Sequence, residues 1–213
     1  MAQKGLVEGT HQIQVVVQDN FAEIRRIQEV LVSAAADRKV TLTEGLSDDE
    51  VDALEERYGW CFPPEMLEFL QAGVPIGGGW HDWHALVAPE VVDTVKEVIR
   101  NHCTPVEEED HYYYGNDWAP AGEKTWDKAI ELATKTYPVI PIRGHRCIAT
   151  GPSGTLGLPV ISMHQCSDNI PYGKNFWDWL ACDNGLPEGT VPPEWREVSV
   201  PCEELPFWQH WIG

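Results

Sequence analysis

The sequence predicts an α+β fold: helices first, then a small central antiparallel sheet packed by short helices, then one closing helix. Three observations carry that reading. Apolar residues recur at helical spacing through the first half of the chain, the period changes to extended stretches after Tyr137, and glycine- and proline-rich turns separate those stretches. With 213 residues, 43% of them hydrophobic and 23% charged, the chain has the mass for one domain with a substantial core.

Taken in order, Ile13 to Val17 reads as a short strand or an extended arm. Asp19 or Asn20 then caps a helix whose stripe is Ile24, Ile27 and Leu31, continued by Ala34 and Ala35 to about Asp37. Thr41 to Gly45 reads as a linker. Ser47-Asp48-Asp49-Glu50 is a capping box, in which the serine oxygen meets an orphan N–H and the glutamate reaches back. Val51, Leu54 and Tyr58 line one face of that helix and Gly59 ends it. Pro63-Pro64 pre-sets the first turn of the next helix, whose apolar face is Met66, Leu67, Phe69 and Leu70 and whose end is Gly73. Three glycines at 77–79 require a loop, which delivers Trp80-His81-Asp82-Trp83-His84. A third helix is expected from Pro89, with Val92, Val95 and Ile99 on one face.

Residues 107–110 form a like-charge run, and His111 to Trp118 reads as an aromatic strand ending at Gly115-Asn116. Trp126 to Lys135 is expected to be a short helix. Extended stretches follow at Val139–Ile142, Cys147–Ala149, Pro159–Gln165 and Asp168–Tyr172, with a turn-rich connection over 151–157. Phe176 to Cys182 closes the sequence of elements as a helix. From Leu186 onward, prolines and brief aromatic clusters predict an irregular tail docked by its rings.

Charge narrows the function. Thirty-four acids against 15 Lys and Arg give a formal charge of −19, which repels nucleic acid and anionic membrane and attracts a basic protein partner. The simpler reading of the same number is an acidic surface that keeps the protein dispersed. No apolar run reaches the roughly 18 residues of a membrane-spanning helix, and the N-terminal residues lack a signal-peptide pattern, so a cytoplasmic protein is expected. The six cysteines, at 61, 103, 147, 166, 182 and 202, contain no CxxC pair and are expected to be reduced thiols.

Leu46 to Gly59 followed by Phe62 to Leu70, with the glycine loop at 77–79, resembles the opening of the SUKH superfamily. That superfamily includes the Smi/Knr-like cell-wall regulators and bacterial toxin-immunity proteins. Pro141, Gly144-His145-Arg146, Pro159 to Ser162, Gln165, Asp168 to Ile170, Tyr172-Gly173 and Phe176 to Leu180 are similar to its later strands and closing helix. The resemblance covers about residues 42–182. It implies a SUKH-like α+β domain at 42–185; an N-terminal arm and helix extension at 1–41 and a proline-rich tail docked on the domain at 186–213 lie outside it. It brings no catalytic residues. It implies an intracellular binding protein, either an immunity protein that neutralises a toxin domain such as a nuclease by occlusion, or a non-enzymatic regulatory or scaffold module for a peptide or protein partner.

The candidate partner-binding residues are Glu107, Glu108, Glu109 and Asp110 for charge, Tyr112, Tyr113 and Trp118 as rigid apolar anchors, and Trp80 and Trp83 on the aromatic loop. His81 and His84, with His111 or His145 from elsewhere, are the nearest approach to a metal set, and aromatic-loop packing is the simpler reading of them. His145 with Cys147, and His164 with Cys166, share strand faces and so permit a Cys–His pair, although cysteine more commonly serves as a small buried apolar residue. Residues 151–157 lack GxGxxG spacing and a Walker lysine. No catalytic residue, metal or cofactor is expected.

Overall fold

The computed structural model describes residues 9–87, 120, 123, 126–164 and 168–210. Helix α1 runs Gly9–Ala34, without a break. The strand or arm expected at Ile13 to Val17 is therefore helix, and Asp19 and Asn20 lie inside it rather than at its N-terminus. The preference of valine and isoleucine for strands is a weak bias, since ordinary residues differ by no more than about 0.7 kcal/mol each in helix propensity. Ile24, Ile27 and Leu31 are fully buried, as is Ala35 just past the helix end, so the stripe of α1 packs into the same core as the helices that follow.

A 3-10 turn at Ala36–Arg38 leads to β1 (Thr41–Leu42). Helix α2 (Asp48–Tyr58) opens on the capping box, with Ser47 N donating to Glu50 Oε2 at 2.8 Å, and it buries Val51, Leu54 and Tyr58. Helix α3 (Pro64–Ala72) follows, buries Met66, Phe69 and Leu70, and packs on α1. Gln28 clamps the two: its Nε2 donates to the carbonyl of Phe69, which also accepts from Gly73 N, and to the carbonyl of Gly73, each at 2.8 Å. Strand β2 (Pro75–Ile76) pairs antiparallel with β1. At Gly77, with φ +87, a Cβ would stand 2.4 Å from the Lys39 carbonyl oxygen, so only glycine lets the loop pass there. Part of the segment read as loop is a single helical turn, α4 (Trp83–Val87), because Asp82 caps it by accepting from Ala85 N at 3.2 Å. The helix expected from Pro89 lies outside the described residues.

Helix α5 (Trp126–Glu131) ends in a π-turn at Leu132–Thr136. The sheet then forms as an antiparallel meander of β3 (Val139–Arg143), β4 (Arg146–Ala149), β5 (Val160–His164) and β6 (Asp168–Gly173), in the spatial order β3-β4-β5-β6. Val139, Ile140, Cys147, Ile148, Val160 and Ile161 are fully buried, although they alternate in direction, so both faces of the sheet are covered. Among the described elements, α6 (Phe176–Asp183) packs against β6, while α3 packs on α1 and α6. Apolar spacing had identified the buried faces of α2 and α3 but carries no information about which element each face meets.

The tail is less irregular than its prolines suggest. It contains α7 (Pro193–Glu197) and 3-10 turns at Cys202–Glu204 and Trp208–His210. Its rings dock as expected: Phe207 stacks on Tyr137 at 5.7 Å, and Trp208 Nε1 donates to the Tyr137 carbonyl at 2.9 Å. No described helix is long and apolar enough to cross a membrane.

Candidate functional site

The aromatic loop faces inward. Trp80 is 6% exposed and Trp83 fully buried, so neither presents a ring to a partner, and their assignment as partner-binding residues is corrected. Trp80 stacks on Phe69 at 5.9 Å and meets Trp179 edge to face at 5.5 Å; Trp83 packs edge to face on Trp60 and Phe62. The indole N–H groups of Trp60, Trp80, Trp83 and Trp179 lack a conventional acceptor, and T-shaped contacts of this kind bring positive ring edges onto negative ring faces. No local spacing rule tells which way the loop turns. A bridge between Trp80 and Arg143 at the edge of β3 draws it in.

The two loop histidines are engaged with acceptors. His84 Nδ1 donates to Glu50 Oε1 at 2.9 Å and Nε2 donates to the Glu44 carbonyl at 3.1 Å. Both neighbours only accept, so the arrangement suits an imidazolium and leaves no lone pair for a metal. Burial alone would lower the His84 pKa, but the Glu50 carboxylate and the Glu44 carbonyl outweigh it and hold the ring above its ordinary value. His81 Nε2 lies 3.4 Å from the Gly144 carbonyl oxygen. Among the described residues, no three His, Cys, Asp or Glu side chains are placed to hold a metal ion.

Cys147 is fully buried, and burial pushes its thiol up to about 12, which leaves almost no thiolate at neutral pH. It therefore fits the role of a small core residue. The side chain of His164 and all of Cys166 lie outside the described residues. So do Glu107, Glu108, Glu109, Asp110, Tyr112, Tyr113 and Trp118.

What the structure adds is a division of charge. The outward face of α2 carries Asp48, Asp49, Asp52 and Glu56, all exposed, opposite the buried Val51, Leu54 and Tyr58. Several of the described cations, by contrast, are paired with acids of their own chain. Arg26 pairs with Glu23 at 2.6 Å, Lys128 with Glu131 at 3.0 Å, Lys174 with Glu197 at 3.4 Å and Arg196 with Asp178 at 2.8 Å. The most enclosed group joins the β3–β4 hairpin to the end of α6. There Arg143 donates to both Asp183 and Asn184, and Arg146 lies 3.6 Å from Asp183 while donating to Ser162 Oγ at 2.8 Å. The Arg146 guanidinium also sits 3.6 Å from the centroid of the Tyr172 ring. Burial lowers the Arg143 pKa, and the Asp183 carboxylate opposes that.

Sequence reasoning missed this group. A visible signal was the pair of arginines flanking the two-residue Gly144-His145 turn, which a tight hairpin places directly across from each other; Arg143 and Arg146 are register partners. Comparison with known proteins adds no relative: no family model, no curated protein and no solved structure matches the chain.

Proposed function

We propose that the chain is a binding protein that occludes a basic protein partner, of the immunity type that its resemblance to the SUKH superfamily implies. The observation that carries this is the division of charge. The formal net charge is −19, exposed carboxylates line faces such as that of α2, and seven of the described cations are paired with acids of the same chain, Arg143 and Arg146 within the fold and the others nearer its surface. Such a surface attracts and steers a cationic domain, and occlusion then needs shape and charge without a reactive group. A nuclease domain, whose surface must bind polyphosphate, is the basic partner with the best complementarity. The order of the capped helix, the proline-led helix, the glycine loop, the meander and the closing helix supports a SUKH-like domain.

The test is affinity capture from the native lysate at low salt, identification by mass spectrometry and reconstitution with the purified partner. The expected result is a basic protein whose activity the chain inhibits, with association slowing steeply from ~50 to ~300 mM salt as screening shortens. The combined change Asp48→Asn, Asp49→Asn, Asp52→Asn and Glu56→Gln should slow association. A neutral or acidic partner, or association indifferent to salt, refutes the reading. A basic partner that is held but stays active would point to the scaffold role.

A further inference from the structure

Among the described residues, three large apolar side chains stand exposed: Leu156 at 53%, Tyr172 at 38% and Val198 at 48%. Of these, Tyr172 lines a groove. Its volume is about 380 Å³, and Pro159, Pro171, Tyr172, Lys174, Asp178 and Pro201 contribute to its walls. Val198 adjoins Ser199, which also lines it. Leu156 adjoins Gly157, whose close approach to the tail is exacting: at φ +76, a Cβ there would stand 2.8 Å from Ser199 N and the Val198 carbonyl oxygen. Pro159, Pro171 and Pro201 with the exposed Tyr172 ring give the groove apolar walls on which a visiting side chain can pack.

The walls are built in advance. Val200 N donates to the Gly157 carbonyl at 2.7 Å, and Asn175 Nδ2 donates to the carbonyls of Trp195 and Val198, each at 2.7 Å. On the opposite wall, Arg146 packs over Tyr172 and fixes the ring. Pro171 offers no N–H, so a visiting strand cannot extend the sheet ladder there and must be held by its side chains.

Charge selects the visitor. Asp178 lines the groove, Glu197 pairs with the lining Lys174 and Glu203 adjoins the lining Cys202 in the chain, so three carboxylates stand against Lys174 and Arg196. The Lys174–Glu197 pair is exposed on both sides, so an incoming cation can replace Lys174 at little cost. Prolines and a tyrosine suit the aliphatic stems of lysine and arginine, whose heads then reach the rim.

We propose that this groove, between the end of β6 and the tail at 199–202, seats an extended, lysine- or arginine-bearing segment of a protein partner. The proposal rests on the reading of the chain as a binder of a basic partner and names the place where that partner is gripped.

The probe is a Lys-Pro-Leu repeat nonapeptide, with its Glu-Pro-Leu counterpart as comparison, titrated into the full isotope-labelled chain and followed by amide chemical shifts. The basic peptide should bind at least about tenfold more tightly than the acidic one. Its shifts should fall on residues 172–174 and 198–202. Tyr172→Ser should weaken it about fivefold or more. A second variant on exposed side chains alone, Glu197→Gln with Glu203→Gln, should also weaken it and flatten its salt dependence. Equal affinity for the two peptides, no binding at millimolar peptide, or affinity unmoved by both variants would overturn the proposal. Should the peptide settle on α2 while a basic partner is still captured, the groove assignment falls and the binder reading stands. If neither peptide nor any basic protein binds, both fall.

Discussion

The helical half, residues 9–87, and the sheet-and-tail half, residues 126–210, are stabilised in different ways. The helical half takes its elements from local rules, a capping box, a proline at the first turn and glycine ends, with aromatic rings filling the space behind them, and Gln28 and His84 add a few polar ties across 34 to 45 positions. The second half depends on polar contacts between distant residues. Arg143 meets Asp183 across 40 positions, and Gly157 N donates to Glu65 Oε1, at 2.8 Å, across 92. Local rules make elements, and long-range polar contacts fix where those elements sit.

The harshest test removes the ring that joins the halves. Phe69 on α3 contacts Trp80 on one side and Phe176 and Trp177 on the other, and is fully buried. Phe69→Ala should cost about 3–5 kcal/mol in urea unfolding, with amide-exchange protection falling in both halves together. Protection lost only in the helical half would mean that the halves unfold independently.

Asp183→Asn tests the second half alone. It leaves two enclosed guanidiniums without their shared carboxylate, since the side chains of Arg143 and Arg146 are only 14% and 12% exposed. The expected loss is about 3 kcal/mol, and Asp183→Leu should be no milder. A loss under about 1 kcal/mol would show that Asn184, Ser162 and Tyr172 suffice to hold the arginines.

Glu65 carries the contact between the halves, and its effect depends on pH. Burial raises its pKa, while the bond from Gly157 N opposes that rise. The folded state therefore favours the protonated acid. The contribution of this group is most favourable at low pH and declines as pH rises from the unfolded value near ~4.3 through the raised folded one. Glu65→Gln keeps an acceptor and removes the charge, so it should match the native chain below about pH 4 and exceed its stability by about 1 kcal/mol at neutral pH. A variant less stable than the native chain at neutral pH would show that the Gly157 bond needs the carboxylate.

The smallest effect belongs to the helical half. The Ser47 N–H and then the His84 ring hold the Glu50 carboxyl below its ordinary value, and His84 is held above its own. The Glu50 share is present above about pH 4.3 and lost as pH falls through the lowered value. The His84 share is present below about pH 6.5 and lost as pH rises through the raised value. His84→Gln should cost about 0.5 kcal/mol between those limits and less outside them, read from thermal melts across pH. A flat difference would assign the loss to packing.

The contrast between the halves also explains what was legible in the sequence. The capping box at Ser47, the elbow at Pro64 and the change of period after Tyr137 are local signals, and the elements they mark are present. Trp80 and Trp83 were misassigned because a ring that packs inward and a ring that greets a partner have the same local signature. Tyr172, Asp183 and Glu65 went unmarked for a related reason: each gains its role from a residue far away in the chain, to which no spacing rule points.

Arg26 on α1 donates to the Thr190 carbonyl at 2.5 Å, and that single bond bears on how the protein is made. During translation, α1 leaves the ribosome well before Thr190 is added to the chain. Its outward side therefore waits, unfinished, through the synthesis of every other described helix except α7. Such a fold is not finished in chain order; α1 is locked by a residue 164 positions later. A chain stalled or cut before residue 190 would carry an α1 that lacks this latch, and quality-control proteases act on incompletely fastened segments of that kind.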